Sequence, residues 1–394
     1  MHILRIASPP ALALALSVAA APVAGSAAAA LRPDSPVFPV STCTGCQERH
    51  PFVALQPGGG AAAWEVVGAV GGLAARRLDA AGTPVDSSIL LSFRPVNVGP
   101  VDVGPDGMPW VTFSSAEGLP NELSFSQVAD NRTSFVLRGD ADEPQVEPGG
   151  LVALGGEKVM TSFEDLASDG RSRQWVWRLS FPPSGGGLPR QVSSTEGLGR
   201  PRICPRPDGS FVVAWQTRSG ASYGVSYSLR GPNGDSLRPP TSLAGSLNAP
   251  ANHALACARD GRFAIAWESS VHPGAVGSDV VVQRFDRRAR KVHRRDVANA
   301  AVAGDQGLPA LAFDPGGALL AAFQSIAGGQ QRVFARRFAV NGAPEGKEVR
   351  VDAGAAQVGE EGPGSPGVAA VGTSGRVLVV WSEGHSILGR RLRR

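Results

Sequence analysis

The sequence predicts an all-β protein in which seven similar four-stranded antiparallel sheets stand around an axis. Three observations predict it. One segment recurs seven times at a near-constant period, and each copy carries an apolar run ending on an aromatic residue. Gly and Pro together, 50 and 32 of 394 residues, supply turn formers at a density that argues against a helical bundle.

The clearest copies are Phe211-Val212-Val213-Ala214-Trp215-Gln216, Phe263-Ala264-Ile265-Ala266-Trp267-Glu268, Leu319-Leu320-Ala321-Ala322-Phe323-Gln324 and Val377-Leu378-Val379-Val380-Trp381-Ser382. With the weaker upstream copies the aromatic anchors are Trp64, Phe113, Phe163, Trp215, Trp267, Phe323 and Trp381, spaced 49, 50, 52, 52, 56 and 58 residues apart.

Each unit reads as four strands, a to d. Strand a is a short apolar run such as Phe52-Val53-Ala54-Leu55. A Gly turn, often Asp-Gly, links it to strand b, as a tight hairpin requires. Strand b is apolar at nearly every position and is expected to be buried on both faces, its aromatic filling the wedge between sheets. Strand c often ends in Arg and an apolar residue, as in Arg284-Phe285 and Arg337-Phe338. Strand d is more polar, as in Lys347–Val351, because one side meets water. Four-stranded sheets repeated radially make a seven-bladed β-propeller.

Ring closure is legible too. The last unit has strands near 367–371, 376–382 and 386–391 and then the chain ends, without a strand d. The segment Pro36-Val37-Phe38-Pro39-Val40-Ser41 is a spare β-like stretch, so the N-terminal strand is expected to complete the last blade. Its prolines suit an edge strand.

The phrase Phe-Val-Val-Ala-Trp-Gln at 211–216, with Gln283-Arg284-Phe285-Asp286 further on, resembles repeats of secreted bacterial β-propeller proteins. The resemblance spans roughly residues 36–394. It implies the fold and no activity.

Residues 1–30 read as a signal peptide: His2 and Arg5 form a basic start, Ala11–Ala21 an apolar stretch, and Ala27–Ala30 an A-x-A cleavage site. Residues 31–394 then form a single propeller domain that is secreted or periplasmic. No other stretch approaches the ~18 apolar residues of a membrane span. In an oxidising compartment the four cysteines pair. Cys204 and Cys257 are 53 residues apart, one repeat, at equivalent ends of neighbouring a strands, so they are expected to bridge. Cys43 and Cys46 form the second pair. Their Cys-x-x-Cys lacks the βαβ context of a redox motif and the following His of a haem site.

The formal charge is +4, with 38 Lys and Arg, of which only Lys158, Lys291 and Lys347 are lysine. Outside Arg284–Arg295 and the C-terminal arginines the cations are scattered. That argues against nucleic acid as a partner and assigns the arginines to solvation.

In propellers, ligands commonly bind on the face carrying the d–a and b–c loops. Those loops carry the ligand-binding candidates His50, Arg200, Asn252, His253, Asp165, His272 and His385, a set suited to anionic sugar or peptide ligands. The residues after the anchors (Glu65, Ser114, Glu164, Gln216, Glu268, Gln324 and Ser382) are expected to terminate strand b by bonding the backbone. Trp175 and Trp177 share a face and are expected to pack between sheets. No catalytic or metal motif stands out, neither G-x-S-x-G, H-E-x-x-H nor an Asp-rich calcium loop, so no cofactor and no metal are expected. The expected function is an exported, monomeric, non-enzymatic propeller binding an extracellular or envelope protein or a glycan. The alternative is a polysaccharide lyase or glycoside hydrolase with an axial active site.

Overall fold

In a computed structural model of the chain, the described residues are 30–43, 46–68, 71–92, 96–115, 122–128, 132–138, 146–166, 172–181, 188–193, 197–219, 222–247, 252–269, 277–300, 303–354, 356–357, 366–372 and 375–394. They form an all-β ring of seven blades, each a four-stranded antiparallel sheet. Except for Ala30, the segment read as a signal peptide lies outside them.

The inner a strands are Gln47–Gln56, Val96–Val103, Val146–Ala153, Gly197–Pro205, His253–Cys257, Asp305–Phe313 and Gly367–Val371. The b strands are Gly59–Val67, Pro109–Ser115, Lys158–Leu166, Phe211–Ser219, Phe263–Ser269, Leu319–Ala327 and Arg376–Glu383. All seven anchors sit on b strands. The side chains of Trp64, Trp215, Trp267, Phe323 and Trp381 are essentially inaccessible to water. Each b strand is covered by the sheets on either side, which is why its sequence does not alternate. The apolar core is accordingly a series of inter-blade clusters, such as the one joining Val212, Tyr227 and Leu229 of blade 4 to Phe263, Trp267 and Phe285 of blade 5. Trp175 and Trp177 are half-buried against the cluster between blades 2 and 3. Trp110 of that cluster stacks on Phe181 at 5.2 Å.

The ring closes as the sequence implied, though not with one continuous strand. Arg32–Pro33 pairs with Arg393 and Leu392, and Phe38–Pro39 pairs with Gly389 and Leu388. Pro36 lies in the break between the two pieces. Val40 donates its N–H to Ile387 O at 2.8 Å, and Ile387 N–H returns to Ser41 Oγ at 3.0 Å. Buried Glu48 of blade 1 accepts from the Trp64 indole at 2.8 Å and from Ile387 N–H at 3.3 Å, so one carboxylate stitches the first blade to the last. Burial pushes the Glu48 carboxyl up from its ordinary range.

Both disulfides form as expected, Cys43–Cys46 and Cys204–Cys257. The second ties the inner strands of blades 4 and 5. Two disulfides are consistent with a protein that folds in an oxidising environment. Among the described residues no helix is long and apolar enough to cross a membrane.

The arginines are not merely a solvated excess. Near the end of strand c, the arginine of one blade reaches the c–d turn of the next. Arg178 donates to Asn233 Oδ1 at 2.9 Å, Arg284 to Gly342 O, and Arg391 to Thr83 Oγ1 at 2.8 Å. A guanidinium presents five N–H donors in a rigid planar fork and so holds the acceptors of a turn in fixed geometry, where a lysine offers only a rotating point charge.

Candidate functional site

Seven inner strands enclose a central channel of about 760 Å³, lined from His50–Pro57 in blade 1 round to Pro366–Ala370 in blade 7. One mouth is shaped by a repeated device. In blades 1, 2, 3, 4 and 6 the a–b register slips at the start of the inner strand, around His50-Pro51, Gly99-Pro100, Gly149, Gly199–Pro201 and Leu308-Pro309. A bulge bends the strand and frees backbone groups from the ladder. His50 and Leu308 hold φ of 51° and 49°, conformations that non-glycine residues seldom adopt.

The polar residues after the anchors hold these bulges, and so do more than end strand b, which runs on past them to Val67, Leu166 and Ser269. Glu65 Oε2 lies 2.9 Å from His50 Nδ1. Glu164 Oε1 accepts from Gly199 N–H of the next blade at 3.1 Å and from Ser172. Glu268 Oε1 accepts from Asn252 Nδ2 at 2.8 Å and from Leu308 N–H of the next blade at 2.7 Å. The reading that they bond backbone is thus right for Glu164 and Glu268, with the partner on the neighbouring sheet.

Arg200 joins three blades. Its Nε donates to Glu147 Oε2 at 2.6 Å and its Nη1 to Val98 O at 3.1 Å, while Asn97 Nδ2 donates to Glu147 Oε1 at 3.0 Å. Glu147 and Glu164 are register partners across one sheet. Burial, reinforced by the Glu147 charge, pushes the Glu164 carboxyl up despite its bonds to Ser172 and Gly199.

His253 is buried at the start of its inner strand, and its Nε2 lies 3.1 Å from Ala214 O, so the Nε2–H tautomer donates. Burial and the neighbouring Arg202 charge push its pKa down to about 3. Arg202 of blade 4 extends across the channel, its guanidinium carbon 5.8 Å from the centre of the Phe52 ring of blade 1. Its Nη1 donates to Gly149 O at 2.9 Å. Desolvation and the Arg200 charge lower its pKa to about 10, so it remains a cation at neutral pH. Deeper in the channel, burial pushes Asp102 up to about 7 against the pull of the Ala153 and Val103 N–H groups. The Ala153 N–H reaches Asp102 Oδ2 at 2.8 Å.

Of the seven residues singled out from sequence, His50, Arg200, Asn252 and His253 line this channel together. Asp165 and His385 do not line it; Asp165 lies toward the end of a b strand, and His385 is exposed in the turn before Ser386. His272 lies outside the described residues. Sequence reasoning passed over Arg202, Phe52 and Asp102, which sit inside inner strands and read there as ordinary strand positions. The signal that could have found Arg202 was a charge in a run whose counterparts in other blades are apolar or small. Among the described residues no group of three or more His, Cys, Asp or Glu side chains is placed to hold a metal ion.

No protein-family model and no curated protein matches the sequence. Solved structures do share its fold. A protein of unknown function from Dyadobacter fermentans is similar over 92% of this chain and 99% of that one, with a TM-score of 0.51 at 12% identity. A puromycin-hydrolyzing peptidase from Mycobacterium tuberculosis is similar over 85% of this chain and 50% of that one, with a TM-score of 0.50 at 11% identity. An alpha-L-arabinanase from Penicillium chrysogenum is similar over 74% of this chain and 91% of that one, with a TM-score of 0.48 at 8% identity. At such identities the likeness is one of fold.

Proposed function

We propose that this chain is an exported, monomeric, non-enzymatic propeller that binds a glycan at the polar mouth of its central channel. The observation that carries the reading is the mouth itself. His50, Arg200 and Asn252, from three different blades, face one opening and are held in place by Glu65, Glu147 and Glu268. Side chains already fixed by partners lose little freedom when a hydroxyl-rich ligand arrives. The carboxylates are spent on bulge N–H groups and cations of the protein, which suits holding a ligand better than turning one over.

A glycoside hydrolase remains the second reading, and one observation favours it: Glu164, pushed up, faces Glu147, paired with Arg200. A carboxyl pushed up by burial beside a second carboxylate is the kind of pair that acid–base cleavage of a glycosidic bond uses.

A glycan array, followed by calorimetry with Arg200→Ala and a release assay for reducing or unsaturated sugar ends, tests both. The expected result is binding weakened by Arg200→Ala, with no sugar release. Release abolished by Glu164→Gln would replace the binding reading with the hydrolase, and an array without hits would refute glycan binding.

A further inference from the structure

The channel holds an uncompensated cation. Among the described residues Arg202 makes no ion pair. Its Nη1 bonds Gly149 O, Phe52 lies against its guanidinium, and its Nε and Nη2 donate to no acceptor among the described residues. The acids that line the same channel do not neutralise it. Asp314 is paired with Arg337 at 2.6 Å, and Asp102 is held by the Ala153 N–H of blade 3. The other cation beside it, Arg200, is already matched by Glu147. Arg202 is only partly buried, so its free N–H groups open on the channel without a counter-charge and are available to an anion that enters it.

We propose that Arg202 receives the carboxylate of an acidic sugar, a uronate, that enters through the mouth of the channel. This rests on the glycan-binding reading above and names the charge that the glycan carries. The fork of Arg202 offers two parallel N–H groups, the geometry a carboxylate accepts. A uronate fits better than an acidic peptide for two reasons. Its carboxylate and hydroxyls sit on one rigid ring, which suits a channel whose lining combines Arg202 with the polar side chains of Asn252 and His50. Its ring also has an apolar face, and the bulge residues Pro51, Leu308 and Pro309 place apolar surface around the entrance. His253, neutral beside Arg202, adds no charge of its own to the site.

The experiment is calorimetric titration of the intact protein with galacturonate and glucuronate oligosaccharides. Neutral xylo-oligosaccharides and a Glu-rich peptide serve as comparison probes. Arg202→Gln is expected to weaken uronate binding about 10- to 100-fold, the loss typical of a charged hydrogen-bonded pair. Arg202→Lys, which keeps the charge and loses the fork, should fall between. Arg294→Gln removes an equal charge from the exposed outer strand of blade 5 and should change nothing. Thermal melts establish that each variant is folded. A second readout needs no sugar: NMR titration should find the His253 pKa raised in Arg202→Gln, placing the guanidinium beside that ring.

Equal binding of neutral and acidic oligosaccharides, unaffected by Arg202→Gln, would overturn the uronate assignment and leave glycan binding standing. Arg202-dependent binding of the peptide but of no sugar would overturn both in favour of a protein ligand. No binding by any probe would overturn both outright.

Discussion

Arg391, in the last strand of the chain, donates from Nη1 to the hydroxyl of Thr83 in the first blade, 2.8 Å away and 308 residues earlier. The same guanidinium lies 5.4 Å from the centre of the Phe38 ring, on the N-terminal piece that edges the final sheet. One side chain therefore touches both halves of the closure. The repeated clasp, an arginine of one blade on the next blade's turn, thus runs across the junction where chain continuity fails.

Closure by strand exchange predicts what truncation does. Leu31 and Val40 are buried on either side of the two edge pieces. Each such side chain contributes about 1.5–3 kcal/mol by burial. A protein beginning at Thr42 should lose at least about 3 kcal/mol, read as a lower urea midpoint. An unchanged midpoint would mean that the ring does not depend on this strand.

The disulfide between Cys204 and Cys257 closes a loop one repeat long, with 53 residues of separation. By loop-closure entropy such a crosslink contributes about 4 kcal/mol. Replacing both cysteines by alanine should lower the unfolding free energy by that order. Removing the short Cys43–Cys46 loop should cost about half as much, since loop entropy grows only as the logarithm of length. Denaturation of the two double variants, compared directly, checks the ranking.

How much of this was legible beforehand follows from the physics of each feature. The anchors were, because a strand covered on both faces must be apolar throughout, and Trp215 and Trp267 mark that in plain sequence. The Cys204–Cys257 bridge was too, because equal repeat positions become spatial neighbours in a ring. The clasps were not. Arg178 and Asn233 are 55 residues apart, and nothing local to either distinguishes a clasp from a solvated charge. Arg202 and Phe52 meet only because blades 4 and 1 face each other across the axis, a relation that no repeat period encodes. The bulges escaped for a third reason. His50 and Leu308 take positive φ under tertiary constraint, where propensity alone predicts extended backbone.

Two channel groups give opposite pH dependences. His253 is pushed down to about 3, so the unfolded chain binds its proton first as pH falls. Its contribution to stability is complete above the unfolded value near 6.5 and is lost as pH drops toward 3, at no more than about 1.4 kcal/mol per pH unit. Asp102 is pushed up to about 7, so the folded state keeps a proton that the unfolded state releases, and stability falls as pH rises from about 4 to 7. Asp102→Asn keeps an oxygen for the Ala153 N–H. It should raise stability by about 1–2 kcal/mol at pH 8, after allowance for solvent screening in the open channel, and change little at pH 4. Chemical denaturation at the two pH values reads the difference.

The buried cluster around Arg337 makes the strongest demand. Its Nη2 lies 2.6 Å from Asp314 Oδ2 and its Nη1 bonds Glu345, and all three side chains are almost wholly buried. Asp314 also caps its own hairpin, its Oδ1 accepting from Ala318 N–H at 2.9 Å. Arg337→Met strands two carboxylates away from water and should cost about 3–5 kcal/mol. The triple variant Arg337→Met, Asp314→Asn, Glu345→Gln removes the charges together. Since the Asp314→Asn change keeps the turn-capping oxygen, that variant should recover most of the stability. Failure to recover would mean that the geometry of the ion cluster, rather than its charge balance, holds blade 6 in shape.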